Sequence, residues 1–435
     1  MKKIVASVGM AAIGASAIHT ASAQVVGDTS KLWSISATLR GFYDDNTATI
    51  PNNQPVAPGW HRDSFGFEIS PSGTLVWSPD AATSLSAGVL YSYKYYENPV
   101  PYSTGHGDNT FTFSGDFKHA FNEQMQARVS DSFAIGQEPD LLRAGNTFST
   151  FQRVSGNNIR NYGAISFDDQ LTPKFGLSFG YDNSFYNYAD DGVSTNVTGI
   201  VPSTGGLLNR DENRAHLEGL YTIQPETKGL IGYQFSQINY LGDQYISGTN
   251  AATLAKSDIR DSREHTMYAG AEHNFSPELA GALRAGASYT EYLNNPPDVS
   301  NIWTPYVNAT LKYTYAQLST ATLGVAYDRS PADVTGSTLA STTLDAEAVT
   351  VFASISHRIT PQLFANLLAQ FQNSVYHGGT YNDKNEQYYL AGLDVEYRFN
   401  QYLSAHVGYN YDNLQSQLNR AYDRNRVYIG VTGTY

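Results

Sequence analysis

From Leu32 onward, apolar residues recur at every second position over segments of about ten residues. In the first segment Trp33, Ile35, Ala37, Leu39, Gly41 and Tyr43 share one parity, and Ser34, Ser36, Thr38 and Arg40 fill the other. Leu85, Ala87, Val89, Tyr91 and Tyr93 likewise oppose Ser84, Ser86, Gly88, Ser92 and Lys94, and Leu403, Ala405, Val407, Tyr409 and Tyr411 oppose Ser404, His406, Gly408 and Asn410. A period of two predicts β-strands with two unlike faces, since a helix would spread such residues around its surface.

The connections alternate as well. Short reversals centre on Ser78-Pro79-Asp80, Thr172-Pro173-Lys174, Gln224-Pro225-Glu226, Ser276-Pro277-Glu278 and Thr360-Pro361-Gln362, where Pro presets φ and a polar neighbour completes the turn. Longer stretches rich in Gly, Asn, Asp and Ser lie between them, so the repeating unit is a hairpin. The count is about 18 strands (16–18), from 32–43 through 302–315, 320–328, 363–372 and 402–411 to 425–435. Strands of this length match the roughly 9–11 tilted residues that cross a bilayer.

In lipid every backbone N–H and C=O must be paired, so a strand-built membrane protein closes into a barrel. The expected fold is an all-β, transmembrane, up-and-down antiparallel barrel with its apolar parity toward lipid. Aromatic residues support this. Trp33, Trp77, Phe175, Tyr313, Phe399 and Tyr435 fall at turn-proximal ends of the apolar parity, and Tyr43, Phe65, Tyr289, Trp303, Phe371 and Tyr389 fall toward the loops. Two such girdles are what a spanning barrel needs. A soluble β-propeller shares the 40–50-residue period, but its blades pack both faces and would scatter the aromatics. Asp131 and Glu291 interrupt the apolar parity and are expected at bulges or at the membrane interface.

Composition narrows the partners. Charged residues make up 15% of the 435 residues, against about 25% in soluble domains, while Tyr (32) and Gly (37) are abundant. The formal charge of −13 argues against nucleic acid, and the absence of Cys excludes a disulfide scaffold or a Cys-ligated metal. No apolar run beyond the N-terminus is long enough for a membrane helix. At the N-terminus, Lys2 and Lys3, an apolar stretch from Ile4 and Ala21-Ser22-Ala23 read as a secretory signal peptide cleaved after Ala23. The expected organisation is a signal peptide at 1–23, a short periplasmic segment at 24–31 and a barrel at 32–435.

The hairpin plan, the N-terminal signal and a last strand of Val427, Ile429, Val431, Gly433 and Tyr435 together resemble Gram-negative outer-membrane proteins of the putative β-barrel porin type. The resemblance covers essentially the whole mature chain. It implies a location in the bacterial outer membrane, contact with outer-membrane lipid and lipopolysaccharide, and a terminal aromatic strand, ending at Tyr435, read by the barrel-assembly machinery. Assembly into a homo-oligomer is left open.

Parity then assigns the lumen. Pore-lining candidates are Arg40, Glu68, Arg128, Arg160, Arg214, Glu218, Arg284, Asp394, Glu396, Arg398 and Arg426. Both signs occur among Ser, Thr, Gly and Asn, and 16–18 strands leave an aqueous interior, so passive diffusion of small polar solutes or ions is the leading function. About half of these charges are expected to be ion pairs that only stiffen the wall. The third long loop, about 135–158, carries Glu138, Asp140, Arg143 and Arg153. Its ordinal position and mixed charge resemble the constricting third loop of trimeric general porins, with an outward surface loop as the alternative.

Other classes fit less well. No histidine falls into a constellation with a nucleophile motif, and His216 beside Glu218 is expected to form only a lumenal hydrogen bond, so no enzyme, catalytic residue, cofactor or metal site is expected. An exopolysaccharide-export barrel, or a structural or adhesive surface barrel, would share the same wall. Neither a periplasmic partner domain nor very long loops favour those readings.

Overall fold

The computed structural model describes residues 31–435 except 102–104, 138–144, 146, 155–156, 190–193, 197–198, 243, 249–253, 295–300 and 337–341. Most of the expected signal peptide and periplasmic segment, together with Glu138, Asp140 and Arg143, therefore lie outside the described residues.

Eighteen antiparallel strands close into one barrel. They are β1 (Trp33–Asp44), β2 (Ser64–Trp77), β3 (Thr83–Tyr96), β4 (Gly107–Ala120), β5 (Met125–Gly136), β6 (Asn158–Asp169), β7 (Phe175–Asn187), β8 (Arg210–Gln224) and β9 (Thr227–Tyr240). The second half comprises β10 (Ser262–Asn274), β11 (Leu279–Tyr292), β12 (Ile302–Ala316), β13 (Ser319–Pro331), β14 (Asp345–Arg358), β15 (Leu363–His377), β16 (Asn385–Arg398), β17 (Leu403–Ser416) and β18 (Tyr422–Thr434). Each strand pairs with its sequence neighbours, and β18 returns to β1 in the register Ser36↔Thr434 to Asp44↔Arg426. Tyr435 extends that seam, its N–H donating to the Ile35 carbonyl at 2.8 Å and its carbonyl accepting from the Ile35 N–H at 3.1 Å. Closure leaves no edge strand to meet lipid with unpaired backbone.

The outer surface is the apolar parity. Ile35, Leu39, Ile69, Val129, Ile165, Leu217, Ile231, Met267, Leu323 and Ile429 are all exposed, as lipid-facing side chains must be in a protein seen without its bilayer. Girdle residues meet across strands, with ring centroids 4.7 Å apart for Tyr43 and Phe65, 5.0 Å for Tyr289 and Trp303, 5.0 Å for Phe371 and Tyr389, and 6.0 Å for Trp33 and Tyr435.

Two local expectations change. The later strands run further outward than their apolar alternation, β15 to His377 and β17 to Ser416, while β18 starts at Tyr422. Hairpin ladders continue above the apolar zone because backbone pairing needs no apolar face. Asp131 lies at no bulge, because the β5–β6 register is unbroken; its carboxylate accepts from Asn161 Nδ2 at 2.9 Å on the same outer face. Glu291 is the penultimate residue of β11, at the loop rim. In β12, Pro305 lacks the N–H that a ladder needs, and the β12–β13 pairing stops at Val307↔Tyr327, leaving 302–306 unpaired with β13.

Candidate functional site: the lumen and its charged chamber

The loop-side half of the lumen is occupied by chain. The described part of the third loop, Gly145 and 147–154, meets the lumen-facing wall formed by β14–β18. The Phe148 N–H donates to Gln372 Oε1 at 2.8 Å while Gln372 Nε2 donates back to the Phe148 carbonyl at 2.9 Å. The Gly145 N–H donates to Gln370 Oε1 at 3.1 Å. Gly145 has φ of +85°, and a Cβ there would run into the Phe352 ring, so glycine is required both by conformation and by space. Phe148 and Phe151 pack on Leu368, Tyr388, Leu390, Leu414 and Tyr422, all of them lumen-facing. Tyr422 OH also donates to the Phe151 carbonyl.

Arg153 fixes the return of this loop. Its guanidinium pairs with Asp108 at 2.5 Å and donates to Gln137 Oε1 at 2.8 Å, and its N–H donates to Thr49 Oγ1 at 2.8 Å. Thr49 belongs to the first loop and holds φ of 51°, a conformation β-branched residues seldom take. A second cluster, of Val154, Tyr188, Leu207, Leu208, Ile246, Ala255 and Ile259, joins the end of the third loop to the segments after β7 and β9. Burial among these groups raises the Tyr188 hydroxyl above its ordinary pKa, although Arg210 and Arg160 oppose the shift.

All eleven lumen candidates sit on lumen-facing parity, and most are tied to a partner in the wall. Arg40 pairs with Glu68 at 3.8 Å and lies over the Tyr428 ring at 4.9 Å. Arg128 meets Asp116 at 2.5 Å, Arg398 meets Glu396 at 3.0 Å, and Arg426 meets Asp412 at 2.6 Å. Asp394 accepts from Tyr428 OH at 2.9 Å. Glu218 binds Arg284 through both oxygens, at 2.7 and 3.0 Å, and accepts from Tyr268 OH at 2.9 Å. Arg160 is buried near the loop end of β6. The expected His216–Glu218 hydrogen bond does not form. Glu218 is saturated by Arg284 and Tyr268, and the nearest carboxylate to His216 is Asp182, at 4.0 Å.

Arg214 differs from the rest. It is exposed to the lumen, has no ion pair among the described residues, and has Asp328, Asp182 and Glu212 as its electrostatic neighbours. With Glu264, Tyr240, Tyr292, Arg260 and Arg329 it lines a chamber of about 90 Å³ on the β7–β14 side. Arg260 enters from the segment between β9 and β10. Burial, with no carboxylate paired to it, holds its guanidinium below the ordinary pKa. Arg329 is neutralised by Asp345 at 2.5 Å and Glu347 at 3.0 Å.

Sequence reasoning missed the lumenal aromatics. Tyr268, Tyr428 and Phe352 lie flat against the inner wall over Gly232, Gly408 and Gly324, where any Cβ would overlap the ring. The signal was present as a lumen-parity glycine beside an aromatic on the adjacent strand, but it becomes readable only with the register in hand. The landing site of the third loop had a plainer signal, since Leu368, Tyr388, Leu390, Leu414 and Tyr422 are apolar or aromatic on the polar parity.

The family model described as putative beta-barrel porin 2 matches residues 161–435, more than half of the sequence. The chain belongs to that family. No curated protein sequence matches it. Among solved structures, this porin-family chain is similar to the outer membrane protein OpdK from Pseudomonas aeruginosa, at 11% identity and a TM-score of 0.42, over 93% of this chain and 99% of that one. It is similar to OccAB4 from Acinetobacter baumannii at 12% identity, a TM-score of 0.42 and the same coverage. A BenF-like porin from Pseudomonas fluorescens Pf-5 shows 10% identity and a TM-score of 0.43, again over 93% and 99% of the two chains. This member of the porin family is an outer-membrane barrel in contact with membrane lipid, and the family and fold are those of channels rather than enzymes.

Proposed function

We propose that this protein is a channel for passive diffusion of small polar solutes or ions, with the third loop narrowing its lumen. The observation that carries the reading is the division of the interior. The third loop is bound to the β14–β18 side, and an unfilled, charged chamber remains along β7–β14. Arg153, the constriction-loop candidate within the described residues, belongs to this constriction. The signal peptide is cleaved after Ala23, and the barrel-assembly machinery reads the strand ending at Tyr435. Passage of exopolysaccharide suits the reading less well, because chain already occupies the loop-side lumen.

The test is planar-bilayer recording of the refolded mature chain beside a variant lacking 138–152. The reading requires discrete ion conductance in the wild type and a larger single-channel conductance in the deletion. Equal conductances would remove the constriction, and no conductance would leave a structural or adhesive barrel.

A further inference from the structure

Charges in the chamber do not cancel. Arg329 is satisfied by Asp345 and Glu347, and Glu212 by Arg210 at 2.6 Å. Arg214 and Arg260 remain on one side of the account, and Asp182, Glu264 and Asp328 on the other. Glu264 accepts only from the hydroxyls of Thr266 at 3.1 Å and Thr290 at 3.4 Å. Asp328 accepts the Arg329 N–H at 2.8 Å, and Asp182 has only His216, at 4.0 Å.

Arg260 is the most telling of these groups. Its side chain is 1% exposed. Nη1 donates to the Ala332 carbonyl at 2.8 Å, Nη2 donates to the Leu207 carbonyl at 2.6 Å, and Nε has no partner. The Tyr240 ring lies 4.6 Å away and supplies a cation–π contact but no counter-charge. A buried guanidinium with spare donors and no paired carboxylate is strongly unfavourable unless something anionic reaches it.

We infer that the chamber binds a small zwitterion of amino-acid or dipeptide size, its anionic group on Arg260 and its cationic group among Asp328, Asp182 and Glu264. A simple anion would sit beside Asp182, Glu264 and Asp328, which outnumber the one cation facing them, Arg214, and a simple cation would leave Arg260 unanswered. A molecule carrying both charges relieves both. The volume suits this size, because about 90 Å³ holds several waters at roughly 10–15 Å³ each. The inference rests on the channel reading only in that the solute enters through the lumen.

Ligand-observed NMR on the detergent-solubilised mature chain tests it, with glycine, glycylglycine, acetate and methylammonium as probes. Glycine or glycylglycine should show saturable binding, with acetate and methylammonium at least about tenfold weaker. Arg260→Gln and Asp328→Asn should each weaken the zwitterion about tenfold or more while keeping the heat-modifiable electrophoretic shift of a folded barrel. Since Arg260 is buried, Asp328→Asn and Glu264→Gln decide the matter if Arg260→Gln does not fold. Zwitterion binding that is absent, unchanged by these variants, or matched by acetate overturns the inference. Potassium chloride conductance of the same preparation is read separately. A conducting barrel that binds no zwitterion sinks the site alone, and a binding barrel that does not conduct sinks the channel reading alone.

Discussion

The two sides of the lumen are built on the same alternation and end up with opposite properties. Along β15–β18 the inward parity carries Leu368, Tyr388, Leu390, Leu414 and Tyr422, and it is covered by the third loop. Along β7–β13 the inward parity carries Asp182, Glu212, Arg214, Glu264 and Asp328, and it stays open as a chamber. The loop goes where inward apolar residues offer area to bury, at about 25 cal/mol per Å². It avoids the side where its own apolar residues would strip water from charges. Under the proposed channel function, selectivity and constriction would be separable, with the third loop on one wall and the unpaired charges on the other.

The strongest way to break this contrast is to release the loop. Replacing Phe148 and Phe151 together by Ala removes two buried aromatic anchors, each worth about 3–5 kcal/mol in a packed core. Single-channel conductance should rise to the level of the 138–152 deletion, and a double variant that conducts like wild type would show that the loop is held by its hydrogen bonds to Gln370 and Gln372 instead. The charged side is broken through Glu218. Glu218→Ala leaves Arg284 with only Glu272, at 3.3 Å, and should destabilise the barrel by about 3 kcal/mol, read as a lower urea midpoint. Arg284→Met in the same background should restore much of that loss, since it removes the stranded cation.

Arg214 offers a gentler change. Arg214→Gln alters no ion pair, so unfolding should hardly move, while reversal potentials in a salt gradient should shift toward cations by a few-fold in permeability ratio. The smallest effect is at Asp261, beside the chamber's Arg260. Burial, reinforced by Asp258, raises the Asp261 carboxyl above its ordinary pKa even though it accepts the Tyr240 N–H at 2.7 Å. A carboxyl with a raised folded-state pKa favours the fold while protonated. That contribution is present at low pH and lost as pH climbs from the ordinary carboxyl pKa through the raised one. Asp261→Asn should therefore match wild-type thermal stability in acid and slightly exceed it near neutrality, and equal curves at both pH values would remove Asp261 from the account.

Much of this was legible in the chain. The eighteen-strand count, the turn positions and the outward parity follow from Trp33-to-Tyr43-type alternation and from the Pro-centred reversals. Parity alone assigns Arg40 and Glu218 to the inner face. The state of each charge was not legible. Arg284 and Arg214 read alike in sequence, yet one is locked to Glu218, 66 positions away, and the other faces the lumen. Parity placed Asp131 on the outer face, where it lies, but its Asn161 partner is visible only once the β5–β6 register is known.

The sequence by itself determined the barrel, its girdles and its two solvents, because strand periodicity is local and lipid admits only closed, fully paired sheets. Only the tertiary structure decided which inward residues form the chamber and which receive the third loop. Those assignments depend on strand register and on contacts between residues hundreds of positions apart, such as Phe148 with Gln372, and local alternation carries no record of them.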